Sequence, residues 1–92
     1  MTRIKVTELE WDAWNLEHIK KHGVSQVEVE EAITRVKAHR KGYEGRVVLI
    51  GRSGTRILAC LVKKQRLGKY YIVTARDADK KERRLLYENE KK

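Results

Sequence analysis

Apolar positions along the chain fall into two rhythms. Over 3–10, RIKVTELE, polar and apolar residues alternate with a period near two, the pattern of a first strand that is ragged or lies at a sheet edge. Asp12 then caps a helix predicted over 13–22, AWNLEHIKKH, with Trp14, Leu16 and Ile19 on its apolar side. Gly23 ends it, in the left-handed conformation that glycine adopts at low cost. A stronger helical signal follows. Ser25 and Glu28 form a capping box, each side chain serving the other's backbone amide, and Val29, Ala32, Ile33 and Val36 recur at i, i+3, i+4 and i+7. That helix is predicted to run to about Lys37.

After the polar stretch AHRKGYEG come three apolar runs, RVVLIGR, TRILACLVKK and KYYIVTAR, parted by SG at 53–54 and QRLG at 65–68. Connections this short join antiparallel strands, so the runs predict a β-meander. Asp79 and Glu82 repeat the capping pattern and open a third helix, with Ala78, Leu85 and Leu86 facing the sheet. Lys80, Arg83 or Arg84, and Tyr87 share another side of it. The predicted order is β-α-α-β-β-β-α, an α+β fold with helices packed on an antiparallel sheet.

Ninety-two residues make one domain, 1–92, near the lower comfortable size for a single core. With no proline and no Ser/Gly-rich tract, nothing reads as a linker, so any function shares one surface. The single cysteine, Cys60, sits inside the apolar run ILACLV; a buried, inert thiol and a reduced cytoplasmic setting are expected. The longest apolar run, 57–62, is too short to span a membrane, and MTRIKVTELEW lacks the apolar core of a signal peptide, so neither membrane insertion nor export is expected.

Charge sharpens the picture. Of the net +9, residues 1–34 carry −3, residues 35–76 carry +11 and residues 77–92 carry +1. Such a cationic block attracts phosphate backbones, and release of their condensed counterions makes the binding steeply salt-dependent. Arg46, Arg52, Arg56, Lys63, Lys64, Arg66 and Lys69 stand at predicted strand ends and turn rims, where they can converge on a polyanion, and Lys80 adds to them from the third helix.

Most site chemistries find no support. His18 and His22 have the i, i+4 spacing of zinc ligands, but no Glu follows the first His, Lys20 and Lys21 repel a cation and no third ligand is evident, so no metal or other cofactor is expected. There is no G-x-S-x-G elbow and no G-x-x-x-x-G-K-[ST] loop. RNA cleavage asks for less, because the 2′-OH is the nucleophile and the protein need only orient it, move protons and stabilise the transition state. Lys21, His22, Arg76, Arg83 and Tyr87 supply those groups: arginines clamp phosphate oxygens bidentately, and an imidazole exchanges protons near neutral pH. Each has a structural alternative, Arg76 neutralising Asp77 or Asp79, Arg83 pairing with neighbours of Glu82 or with Tyr87, Lys21 merely solvated. A non-catalytic nucleic-acid-binding module and a subunit that binds only a protein partner remain alternatives.

Two segments carry a resemblance. LEWDAWNLEHIKKHGVS, followed some fifty residues later by IVTARDADKKERRLLYE, resembles the BrnT family of type II toxin–antitoxin systems, with its F-E-W-D…K-H-G-V and I-S-A-R-x-A-x-x-x-E-R-x-x-Y patterns. Glu10-Trp11-Asp12, Lys21-His22-Gly23-Val24, Ala75-Arg76, Ala78, Glu82-Arg83 and Tyr87 occupy the matching positions. The resemblance implies a RelE-like ribonuclease fold, an endoribonuclease that halts translation, and a BrnA-like DNA-binding antitoxin as partner, with assembly as a homodimer or a toxin–antitoxin heterotetramer. Carried over by position, Lys21, His22, Arg76, Arg83 and Tyr87 become the active-site residues, with Trp11 and Gly23 structural.

Overall fold

The computed structural model describes residues 4–91. In chain order its elements are β1 (Glu8–Glu10), α1 (Ala13–Lys21), α2 (Gln26–Thr34), β2 (Ala38–Lys41), β3 (Val47–Ser53), β4 (Arg56–Arg66), β5 (Lys69–Asp77) and α3 (Lys80–Glu90). The α+β class holds, and all three helix starts fall at their expected caps: Asp12, Ser25 and Asp79 each accept from the third backbone amide of their helix, and Asn15, Glu28 and Glu82 return the bond. Gly23, at φ 69°, follows α1 as expected.

Three features of the sheet depart from the expected fold. Its strand order is β1-β5-β4-β3-β2, and β1 runs parallel to β5, so the sheet is mixed and not wholly antiparallel. The first strand also shortens to three residues; Arg3, where it was expected to begin, lies outside the described residues. The stretch taken as polar connection contains a further strand, β2, which pairs antiparallel with β3 from Ala38↔Ile50 to Lys41↔Val47. The order is therefore β-α-α-β-β-β-β-α. Only Ala38 of β2 is buried, so an edge strand with His39, Arg40 and Lys41 turned outward leaves almost no apolar signal. Charge on an exposed edge also discourages pairing with other chains. Making room for β2, α2 ends at Thr34 and not near Lys37.

Alternation along the strands builds a core on each side of the sheet. Leu49, Leu58, Cys60, Val62, Tyr70, Ile72 and Ala75 meet Ile19 of α1 and Val29, Ala32 and Ile33 of α2, with Trp11 packed against this group. Val48, Ile50, Ile57 and Ala59 point the other way and meet Ala78, Leu86 and Leu85 beside and on α3. Gly51 lets α2 settle onto β3, because a Cβ there would collide with the backbone carbonyl of Ala32. Cys60 is buried as expected, and loss of hydration pushes its thiol up to about 12, out of reach of nucleophilic chemistry. No described helix is long and apolar enough to cross a membrane.

Trp14 and Leu16 are not core residues of α1 as their spacing suggested; they are 53% and 37% exposed. The buried positions are Ile19 and, unexpectedly, Asn15, whose carboxamide is bonded at both ends: Nδ2 donates to Glu10 O at 2.9 Å and Oδ1 accepts from the Asp12 amide at 2.9 Å.

Candidate nucleic-acid interface

On the α3 side of the sheet, α3 covers only the end that holds the β3–β4 hairpin and the C-terminal end of β5. The other end stays open, and charged and aromatic residues stand among those that point outward from it. Along β4 the outward series continues from Ala59 and Leu61 to Lys63; along β5 it runs back from Arg76 to Thr74 and Tyr71, kept in phase by a bulge at which Leu61 pairs with Thr74 but Val62 with Ile72. Two adjoining depressions result. One, of roughly 220 Å³, is lined by Arg40, Gly42, Tyr43, Leu61, Thr74 and Arg76, among others. The next, of about 330 Å³, is bordered by Glu10, Trp14, Arg46, Lys63, Gln65 and Tyr71. Together they make a trough with four cations, Arg40, Arg46, Lys63 and Arg76, and three aromatic residues, Trp14, Tyr43 and Tyr71.

The trough is anchored by one carboxylate. Glu82, 1% exposed, receives Arg76 Nη1 on Oε1 at 2.7 Å and Arg76 Nη2 on Oε2 at 2.9 Å. Arg40 donates to the same Oε2 through Nε at 3.0 Å and Nη2 at 2.7 Å, and the Asp79 amide completes the set on Oε1 at 2.9 Å. Burial by itself pushes this carboxyl up, but the bonds from Arg76, the Asp79 amide and Arg40 outweigh it and hold the group at about 2. Two guanidiniums on one carboxylate leave a net positive charge, and the side chains of Arg40 and Arg76 remain 44% and 37% exposed at the trough wall.

At the far rim, Tyr71 Oη donates to Asp12 Oδ2 at 2.9 Å, and Trp14 stacks on His18 with ring centroids 4.0 Å apart. Lys63 makes no ion pair among the described residues, while Arg46 meets Glu44 at 3.4 Å and keeps a buried Nε with no partner among them.

Of the basic residues picked out by sequence, Arg46, Lys63 and Arg76 therefore share the trough, and the others lie elsewhere. Arg56 is on the α1–α2 side, donating to both oxygens of Asp77 (2.7 and 3.1 Å), to Glu28 (2.9 and 3.1 Å) and to Gly23 O (2.9 Å). It ties the end of α1, the start of α2 and the end of β5 together. Arg56→Ala is expected to lower Tm by roughly 5 °C, and Arg56→Lys to recover little, since an ammonium cannot reproduce the planar fork. Lys64 borders a depression on that same side with His39 and Tyr70. Arg66 and Lys69 both approach Glu8 at 3.6 Å on the β1 edge. Arg52 lies under the end of α3, bonded bidentately to Glu90 at 2.8 and 3.0 Å and 5.8 Å from the centre of the Tyr87 ring. Lys80, exposed, opens α3.

The five residues singled out for catalysis come to the same end of the sheet but do not meet. Asp77, bound to Arg56, is drawn to the side where α1 ends; its neighbour Arg76 turns to the α3 side and to Glu82. Arg83 folds back to donate to Ala78 O at 2.7 Å. Lys21 and His22 are exposed at the end of α1, and Tyr87 is 45% exposed one turn beyond Arg83. No hydrogen bond or ion pair among the described residues links Lys21 or His22 with Arg76, Arg83 or Tyr87.

Sequence reading missed Arg40, Tyr43, Tyr71 and Thr74, and took Glu82 as a helix cap and a motif position but not as the partner of Arg76 and Arg40. For Arg40 no signal existed in the sequence alone: only the register of β2 on β3 puts it, two positions after Ala38, on the α3 side. Among the described residues no group of three or more His, Cys, Asp or Glu side chains is placed to hold a metal ion. No protein-family model, no curated protein and no solved structure matches the chain.

Proposed function

We propose that this protein is an endoribonuclease of toxin type, RelE-like in build, which cleaves RNA without a metal ion and so inhibits translation in the cytoplasm. The observation that carries the reading is the trough: Arg40, Arg46, Lys63 and Arg76 with the rings of Tyr43 and Tyr71 line one open side of the sheet, and Trp14 borders it from α1. Cations on a groove grip the backbone of a single strand and aromatic rings accept its bases. Arg76 and Arg40, already desolvated on one side by Glu82, are placed to stabilise charge on a phosphate, and His22, Lys21 or Tyr87 would move protons once the strand is bound. A BrnA-like antitoxin is the expected partner, its acidic or amphipathic segment meeting the same cations; a homodimer or heterotetramer would be the resting form.

Purified protein should cut single-stranded RNA in excess EDTA. RNA left intact across several sequences would sink the nuclease reading. Where cutting occurs, His22→Gln and Tyr87→Phe are expected to slow it about 100-fold while RNA affinity changes little, because proton transfer and grip are separate tasks.

One observation favours a second reading. Arg76 is engaged by Glu82, and the proton carriers stand apart from it, an arrangement that suits a trough which holds RNA and does not cut it. Salt-sensitive RNA binding without cleavage would select that reading.

A further inference from the structure

The depression between β2 and β5 has the build of a nucleotide-sized pocket. Its floor is apolar, formed by Val48, Ala59 and Leu61. Gly42 keeps it open: a Cβ on that residue would stand 2.9 Å from Leu61 Cδ1, inside the space. Arg40 and Arg76 form one wall, fixed in position by Glu82. Tyr43 stands at the mouth, 83% exposed, where a phenol ring has nothing to gain from the fold. It opens the β2–β3 turn, in which Glu44 and Gly45 take φ of 53° and 76° and the Arg46 amide donates to Tyr43 O at 2.9 Å. This left-handed pair is a tight hairpin turn that presents Tyr43 from a defined position. Thr74 lines the same depression, and its hydroxyl is buried with no hydrogen-bond partner among the described residues. A hydroxyl in that state has a donor to offer a ligand oxygen.

We propose that this depression binds one nucleotide of a single RNA strand, its base stacked on Tyr43 over the Leu61 floor and its phosphate held between Arg40 and Arg76, with Thr74 giving that phosphate a further hydrogen bond. The inference rests on the RNA-binding reading above and adds to it a subsite and the residues that form it. A stacked base and two forked guanidiniums ask for an unpaired nucleotide, since a base inside a duplex exposes no face to Tyr43. Thr74 is reached when the phosphate draws the Arg76 guanidinium in the wall away from Glu82 and takes its place as acceptor.

The test uses the full chain and a fluorescent single-stranded RNA 12-mer, with the matching RNA duplex and free nucleoside 5′-monophosphate as second and third probes. Tyr43→Ala is expected to weaken binding of the single strand about ten-fold, the scale of one lost base stack, and Tyr43→Phe to retain it. Gly42→Val plugs the pocket and should weaken it by a similar factor with the duplex unaffected. Thr74→Val should weaken the single strand about five-fold while Tm stays level or rises, because it removes a donor that the free fold leaves unpaired. A purely structural threonine would instead lower Tm and leave binding alone. Single-strand binding that survives all three substitutions overturns the subsite and leaves the RNA-binding reading standing. Failure of the unmodified protein to bind the 12-mer removes both. Saturation by the free monophosphate at concentrations well below those at which the 12-mer binds would overturn the assignment to an RNA strand, in favour of a small-nucleotide site.

Discussion

Glu82→Ala is expected to lower the unfolding free energy by about 3 kcal/mol, a drop in Tm of roughly 15 °C for a domain of this size. The carboxylate is almost wholly excluded from water and accepts four bonds from two guanidiniums and one from the Asp79 amide. Removing it takes away charge-assisted bonds and the returning half of a capping box together. The loss stays short of what a sealed ion pair would give, because Arg40 and Arg76 are 44% and 37% exposed and can rehydrate. Glu82→Gln should fall between, keeping an acceptor for the Asp79 amide but not the charge. Glu90→Ala, which breaks the exposed pair with Arg52, is the matched control and should move Tm by less than roughly 5 °C. Thermal unfolding followed by circular dichroism measures all three; equal losses at positions 82 and 90 would refute the anchoring role.

The same carboxylate sets an acid limb. Its ordinary value of 4.5 falls to about 2 in the fold. Between those values the unfolded chain binds more protons than the folded one, so stability rises with pH. The contribution is complete above about 4.5, amounts to about 3 kcal/mol, and is lost as pH falls toward 2. Asp12, Glu28, Asp77 and Glu90 are also held below the usual carboxylate range by their hydrogen bonds, so acid sensitivity as such is not diagnostic. The difference between wild type and Glu82→Gln is: it should shrink steadily below pH 4.5.

What could be read from the chain depended on the sequence distance over which each feature is decided. Caps are local. Ser25 and Glu28, or Asp79 and Glu82, are three residues apart, and both boxes form as their spacing indicated. The β3–β4 and β4–β5 hairpins are local too. The parallel seat of β1 beside β5 is not: Glu8 pairs with Lys69 across the whole intervening fold, and alternation in RIKVTELE says that a strand exists without saying which neighbour or direction it takes. β2 was lost because an edge strand with one buried residue carries hardly any apolar period. The site shows the same division. Cationic density in residues 35–76 pointed to a polyanion surface, but which side of the sheet each Arg or Lys would take depended on register. A bulge at Val73 and a carboxylate 42 residues from Arg40 decided that. Arg56, by charge the equal of Arg46, became a structural tie for this reason alone.

That division leads to the second large effect. Arg46→Gln with Lys63→Gln should make the dependence of log K on log salt for single-stranded RNA shallower by about 1.4, and weaken binding roughly 20-fold at 0.1 M salt. The figures follow from two phosphate contacts at about 0.7 each on a single strand. Arg66→Gln with Lys69→Gln removes the same formal charge from the β1 edge, where both groups already approach Glu8. If total charge governed binding, the two double variants would behave alike, since a field from +9 is felt over the whole surface at low salt. If the trough governs it, only the first pair moves the slope. Lys63 has no ion pair among the described residues and Arg46 only a partial one with exposed Glu44, so the first pair should leave Tm nearly unchanged. Equal slopes for the two variants, measured by fluorescence anisotropy from 50 mM to 0.5 M salt, would assign the affinity to net charge and remove the trough as the RNA site.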